Sequence, residues 1–167
     1  MSECPARRAY AAPVPTAPQI RPATEADAGT IRSIIRQAQL NPRDLDWRRF
    51  IVADDGGQVV ATAQVRHHGE GTRELASVAV RSDRQGEGIG RRISEAAIAR
   101  EPGRPLYLYT EGRTVEYWGK FGFREIGDGE VPPDLFKAVR FARRLIGIYS
   151  AVFRKGYRIA VMRRDEP

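Results

Sequence analysis

The sequence predicts an α/β protein built on a mixed, mostly antiparallel sheet flanked by helices. Two observations predict it. Three strand-like runs joined by tight turns form a meander over residues 49–80, and later strands alternate with helices. A glycine-rich bend, Gly86-Glu87-Gly88-Ile89-Gly90, falls where this meander gives way to a helix. The 167 residues and 18.7 kDa suit one compact domain with its own core. With 41% apolar and 29% charged residues, the chain is not of the disordered class.

The elements follow in order. Residues 1–18 are rich in alanine and proline, lack any period and read as a flexible tail, leaving 19–165 as the single domain. Gln19 to Pro22 reads as a short strand. Thr24 with Asp27 approximates a capping box, and Ile31, Ile34, Ile35 and Ala38 follow at helical spacing until Asn41-Pro42. Arg49 to Ala53 and Gln58 to Val65 form a hairpin around Asp54-Asp55-Gly56-Gly57. After the turn at Gly69-Glu70-Gly71, Glu74 to Val80 is the third strand of the meander. A helix covers about Gly90 to Arg100, a strand Leu106 to Thr110, and a short helix Thr114 to Lys120. Pro132-Pro133 opens a helix over 133–149, and Tyr157 to Arg163 is the last strand.

Composition narrows the chemistry. The single cysteine, Cys4, excludes an internal disulfide and a cysteine-based zinc site. His67 and His68 are adjacent, so strand alternation sends them to opposite faces and no shared metal site is expected. The formal charge of +7 is concentrated in residues 131–167, where nine basic and three acidic residues give +6. Such a surface favours an anionic partner; a solvated arginine-rich face is the plainer account. The N-terminus lacks the apolar core of a secretory signal, and no apolar run approaches the ~20 residues that span a bilayer. A cytoplasmic protein without stable membrane insertion is expected. The helix over 133–149 is read as an ordinary peripheral helix covering the sheet in preference to a membrane-surface helix.

The chemistry concentrates in Arg84-Gln85-Gly86-Glu87-Gly88-Ile89-Gly90-Arg91. Glycines let backbone amides approach a ligand, and the helix behind them offers orphan amides and a positive dipole end. The combination suits a diphosphate. A P-loop needs a lysine that is absent here, and a dinucleotide fingerprint counted from Gly86 would need glycine where Arg91 stands. The pattern that fits is Gln85-x-x-Gly88-x-Gly90.

This pattern resembles the acyl-CoA signature of the GNAT N-acetyltransferase superfamily. Glu74 to Val80 looks like that family's fourth strand, and Tyr117-Trp118-Gly119-Lys120-Phe121-Gly122-Phe123 looks like its helix end. Within the superfamily the chain is most similar to the amino-acid N-acetyltransferases, including the catalytic domain of N-acetylglutamate synthases. The shared features are Glu74-x-Ala76-x-Val78-Ala79-Val80, Leu108-Tyr109-Thr110, and Gly122-Phe123 followed by Glu130-Val131-Pro132-Pro133.

The resemblance implies acetyl-CoA as co-substrate, no metal, and a fourth and fifth strand that splay apart around the pantetheine arm. It implies that Val78, Ala79 and Val80 meet that arm, that Gln85, Gly86, Glu87, Gly88, Ile89, Gly90 and Arg91 hold the diphosphate, and that Trp118 adjoins the cofactor. A primary amine on a small molecule, an amino acid as first guess, would attack the thioester directly. Glu74 is the candidate base, directly or through water; the alternative is a salt-bridged glutamate with Arg73 beside it. The family's acidic tyrosine position is Trp118 here, and an indole N–H cannot give up a proton near neutral pH. Tyr117 is therefore the candidate acid, with water or no dedicated acid as alternatives. Arg48, Arg49, Arg66 and Arg113 are candidates to pair a substrate carboxylate, and Trp47 and Phe50 are read as core or lid packing. The rival from another class is a non-catalytic acyl-CoA-binding module. A nucleic-acid binder would lack a recognised motif and leave the loop idle. The oligomeric state stays open, a homodimer included.

Overall fold

The computed structural model describes residues 17–103, 105–153 and 158–165. Apart from Ala17 and Pro18, the expected tail lies outside them, as does Tyr157.

Four strands form the opening meander: β1 (Gln19–Pro22), β2 (Phe50–Asp55), β3 (Gln58–His67) and β4 (Arg73–Val80), each antiparallel to the next. The β2–β3 turn needs two positive-φ residues, and Gly56 (φ 59°) and Gly57 (φ 90°) supply them. β5 (Leu106–Glu111), β6 (Arg124–Ile126) and β7 (Ile159–Arg164) complete a seven-stranded sheet of order β1-β2-β3-β4-β5-β7-β6. β6 went unforeseen because three residues carry no readable period. Among the described strands only β4 and β5 are parallel, and they pair at just two positions, Arg73↔Leu106 and Glu74↔Tyr107. Beyond Glu74 the two strands part, so the sheet has the splayed centre expected of the GNAT fold.

A bulge accompanies the splay. The β3–β4 register shifts between Thr62 and Gln64, and Ser77 takes φ 55°, rare for a residue with a Cβ. Thr62 Oγ1 donates to the Ser77 carbonyl at 3.0 Å and pins the bulge.

The helices are α1 (Ala28–Gln37), α2 (Ile89–Ala99), α3 (Val115–Gly119) and α4 (Pro133–Phe153). The Thr24–Asp27 box precedes α1 as expected: Asp27 Oδ2 accepts from the Thr24 amide at 2.7 Å and its hydroxyl at 2.9 Å. Asp27 also takes two bonds from Arg21, at 2.7 and 3.1 Å. On one sheet face, Ile89, Ile93 and Ala97 of α2 and Trp118 of α3 pack on Ile51, Ala63, Leu75, Leu108 and Met162. On the other face, Ile31, Ile34 and Ile35 of α1 cover Phe50 and Val52, while Leu135 and Val139 of α4 cover Tyr107 and Val161. Each large side chain so buried contributes about 1.5–3 kcal/mol. α4 runs past the expected Tyr149 to Phe153; the side chains of Leu145, Ile146 and Tyr149, expected to pack, lie outside the described ones. No helix among the described residues is long and apolar enough to cross a membrane.

Because α1 and α4 cover opposite ends of the same face, the centre of that face is left to polar residues. Thr62, Gln64, Arg66 and Glu74 form a buried row there.

Candidate active site

Alternation along β3 aims Thr62, Gln64 and Arg66 at one face, and Glu74 sits opposite Arg66 on β4. Glu74 is 2% exposed. His68 Nε2 lies 2.8 Å from its Oε2, and Arg66 Nη1 lies 3.8 Å from its Oε1. The hydrogen bond to Glu74 holds the His68 pKa above its ordinary value, against the opposing pull of burial. The Gln64 carboxamide, oriented to satisfy its neighbours, accepts from Ser77 Oγ at 2.9 Å and from Arg66 Nε at 3.1 Å. Arg66 also donates to the Arg43 carbonyl at 3.0 Å. Glu74 is therefore salt-bridged, but to Arg66 and His68. Its sequence neighbour Arg73 points to the other face, where it pairs with Glu101 at 3.0 Å. His67 likewise turns to Glu101, at 3.3 Å, confirming that the two histidines face apart.

The glycine-rich bend is exposed. Gly86 (φ 88°) and Gly88 (φ 75°) take conformations that favour glycine, and a Cβ on either would meet nothing within 4 Å. Gly88 is the N-cap of α2. None of the seven backbone amides from Gln85 to Arg91 has an acceptor among the described residues. Arg84 braces the bend, bonding Glu87 at 2.7 Å and Asp55 at 2.7 Å. That pairing neutralises the one carboxylate within the bend. Arg91 turns along the helix to Glu95 at 2.8 Å, and Gln85 Nε2 reaches the Val80 carbonyl at 3.4 Å. Ile89 is buried in the core beneath.

A cavity of about 1130 Å³ joins these two regions. Val78, Ala79, Val80, Gln85 and Gly90 line it near the bend; Arg66, His68, Glu74 and Tyr109 line it around the carboxylate. Along it, β4 beyond Glu74 has β3 on one edge and, among the described residues, no strand on the other. Such an edge offers main-chain groups to an extended ligand. Tyr117 and Trp118 both line the cavity. A Cβ on Gly90 would stand 3.5 Å from the Tyr117 hydroxyl, which places that phenol beside the start of α2. Trp118 is 9% exposed and packs edge-on against Tyr117 and Phe123.

Of the arginine candidates, Arg66 and Arg113 line this cavity. Arg113 is paired with Glu111 at 2.6 Å. Arg48 and Arg49 line a separate, smaller cavity with His67 and Arg100. Phe50 is core, and Trp47 packs against the same cluster. Sequence reasoning missed His68 and Tyr109 as site residues. The signal for Tyr109 was its register: it stands two residues beyond Tyr107, the parallel partner of Glu74, on the same face. Burial, then the charge of Glu74, raises the Tyr109 pKa above its ordinary value. No cluster of three or more potential metal ligands occurs among the described residues.

An open sheet with a splayed centre, an exposed glycine-rich bend and a buried carboxylate meet around one cavity. Residues 46–125 match the acetyltransferase (GNAT) domain family, and the fold is that of GNAT proteins. Among solved structures it is similar to N-acetylglutamate synthase from Neisseria gonorrhoeae, complexed with coenzyme A and N-acetyl-glutamate. That pair has 20% identity and a TM-score of 0.70 over 87% of this chain and 34% of that one. The chain thus spans about a third of the synthase's length. It is also similar to a Mycobacterium tuberculosis protein in complex with CoA and NLQ (22% identity, TM-score 0.66, 90% of this chain and 100% of that one). Ard1 from Thermoplasma volcanium shares the fold at 13% identity and TM-score 0.62, over 89% and 97% of the two chains. No curated protein matches in sequence.

Proposed function

We propose that the protein is an N-acetyltransferase that moves the acetyl group of acetyl-CoA to a primary amine of a small molecule, an amino acid as first choice. One observation carries this reading: a single cavity, reaching the glycine-rich bend at Gln85 and Gly90, joins it to a β4 edge with no partner strand among the described residues and to the buried carboxylate of Glu74. The structural relatives bound to coenzyme A support the same choice of co-substrate.

The open space at Gly86 and Gly88 and the neutralised Glu87 fit a diphosphate. In this reading the amides of Gln85 to Arg91 hold it, and the main chain around Val78, Ala79 and Val80 takes the pantetheine as an added strand. Acetyl-CoA, when bound, supplies the thioester carbonyl. Glu74 accepts the proton of the incoming ammonium, directly or through water, and Arg66 and His68 keep the carboxylate oriented. Tyr117 is the proton donor proposed for the departing thiolate, with Trp118 shaping the wall beside it.

Coenzyme A release across a panel of amino acids, polyamines and peptide N-termini tests the reading. Amine-dependent release supports it. Thermal stabilisation by acetyl-CoA with no turnover on any amine would instead identify an acyl-CoA-binding module.

A further inference from the structure

The acceptor end of the cavity has an unbalanced charge and an unbalanced surface. Three arginines line it: Arg43, Arg66 and Arg113. Arg66 is matched by Glu74 and Arg113 by Glu111, while the third lining acid, Asp44, accepts at both oxygens from Arg49 Nη1, at 3.0 and 2.9 Å. Arg43 alone has no carboxylate among the described residues. Its guanidinium instead lies over the Phe141 ring, 4.7 Å from the centroid. That stacking fixes the plane of the fork and leaves its N–H groups for a ligand. Leu40 and Phe141, 38% and 42% exposed, are the only large exposed apolar residues among those described, and both line this same end. Exposed apolar surface concentrated in a cavity marks a ligand face. The segment carrying Leu40 and Arg43 is bounded by Gln39 (φ 54°) and Asp44 (φ 56°), two left-handed residues that are not glycine and that also line the cavity.

From this arrangement we propose that the acceptor is an amino acid with one carboxylate and an apolar side chain, its carboxylate paired by Arg43 and its side chain laid against Leu40 and Phe141. The inference rests on the N-acetyltransferase reading and sharpens it. The reason is arithmetic: one unmatched cation receives one carboxylate. A dicarboxylic acceptor such as glutamate would leave its second carboxylate against Leu40 and Phe141, without a partner. A polyamine would bring further cations to Arg43.

The test compares kcat/KM for leucine, phenylalanine, glutamate, putrescine and isopentylamine (leucine without its carboxylate) in the full chain and in three variants. The expected order places leucine or phenylalanine first. Arg43→Gln removes the bidentate pair, and is expected to cut the leucine-to-isopentylamine preference about 10- to 100-fold, mainly through KM. Arg43→Lys restores part of it. Leu40→Arg, a change at an exposed position, is expected to raise glutamate relative to leucine. Glutamate as the best wild-type acceptor would overturn the inference while leaving acetyl transfer standing, as would an unchanged leucine-to-isopentylamine ratio in Arg43→Gln. Absence of coenzyme A release with every amine would overturn both this inference and the reading beneath it.

Discussion

His68 Nε2 and Glu74 Oε2 stand 2.8 Å apart inside the central cavity, so the charge of the imidazole bears directly on the carboxylate. Glu74, Arg66 and Asp134 are the charged groups acting on His68. A protonated His68 opposes the arrival of a further proton on Glu74. Catalysis is therefore expected to rise with pH through the raised His68 pKa. His68→Gln keeps a donor for Oε2 but cannot titrate, and should remove that limb from a kcat/KM profile taken over about pH 5 to 9. The linked stability effect has the opposite slope. Because the folded pKa is raised, the pair's contribution is complete below the ordinary histidine range and is lost as the pH rises through the folded value.

Glu74→Gln keeps the side chain's shape and removes its ability to take a proton. The expected loss in kcat is about 10²- to 10⁴-fold, with acetyl-CoA affinity retained. The deficit should be greatest at low pH, where the amine arrives protonated. Equal losses across the pH range would remove Glu74 as the base.

Gly88→Val sets a β-branched residue at φ 75° and projects methyl groups from the bend. Left-handed backbone costs a side-chain-bearing residue about 1–2 kcal/mol. Calorimetry is expected to find acetyl-CoA binding abolished while the thermal midpoint falls only modestly. Unchanged affinity would displace the diphosphate from this bend.

The two phenols of the cavity separate by position. Tyr117 stands beside Gly90 and Tyr109 beside Glu74, and the Tyr109 phenol keeps its proton more tightly than usual. Tyr117→Phe is expected to lower kcat with little change in acceptor KM, and Tyr109→Phe to raise acceptor KM. Steady-state kinetics on both variants distinguish them; the reverse pattern would exchange their roles.

Asp27 anchors β1 to α1, accepting from Arg21 and Thr24 while only 7% exposed. The hydrogen bond from Arg21 first, with those from Thr24 assisting, holds its carboxyl far below the ordinary carboxylate range. Its stabilisation is present above that ordinary range and is lost as the pH falls below it. Asp27→Asn should cost roughly 2 kcal/mol at neutral pH, and the cost should shrink in acid; thermal melts at the two pH values measure it.

The meander and the shape of the glycine-rich bend were legible because they rest on local chemistry. Gly56-Gly57 announces its turn, and Gly86 and Gly88 announce a bend that other residues avoid. The Glu74 end of the cavity was less legible because long-range pairing builds it. His68 reads as an isolated histidine until the turn after β3 folds it onto Glu74. Arg66 reads as a free cation until β3 and β4 pair and bring Glu74 opposite it. Arg43 matters only because α4, nearly a hundred residues later in the chain, brings Phe141 beneath it.

The two-rung contact between β4 and β5 carries a mechanical consequence. Four strands on one side and three on the other are stitched together at a single corner, so a guest lying in the gap becomes the missing seam of the sheet. Amides along both lips should then slow their hydrogen exchange together when that guest arrives, and the protein's rigidity becomes a property it shares with what it binds.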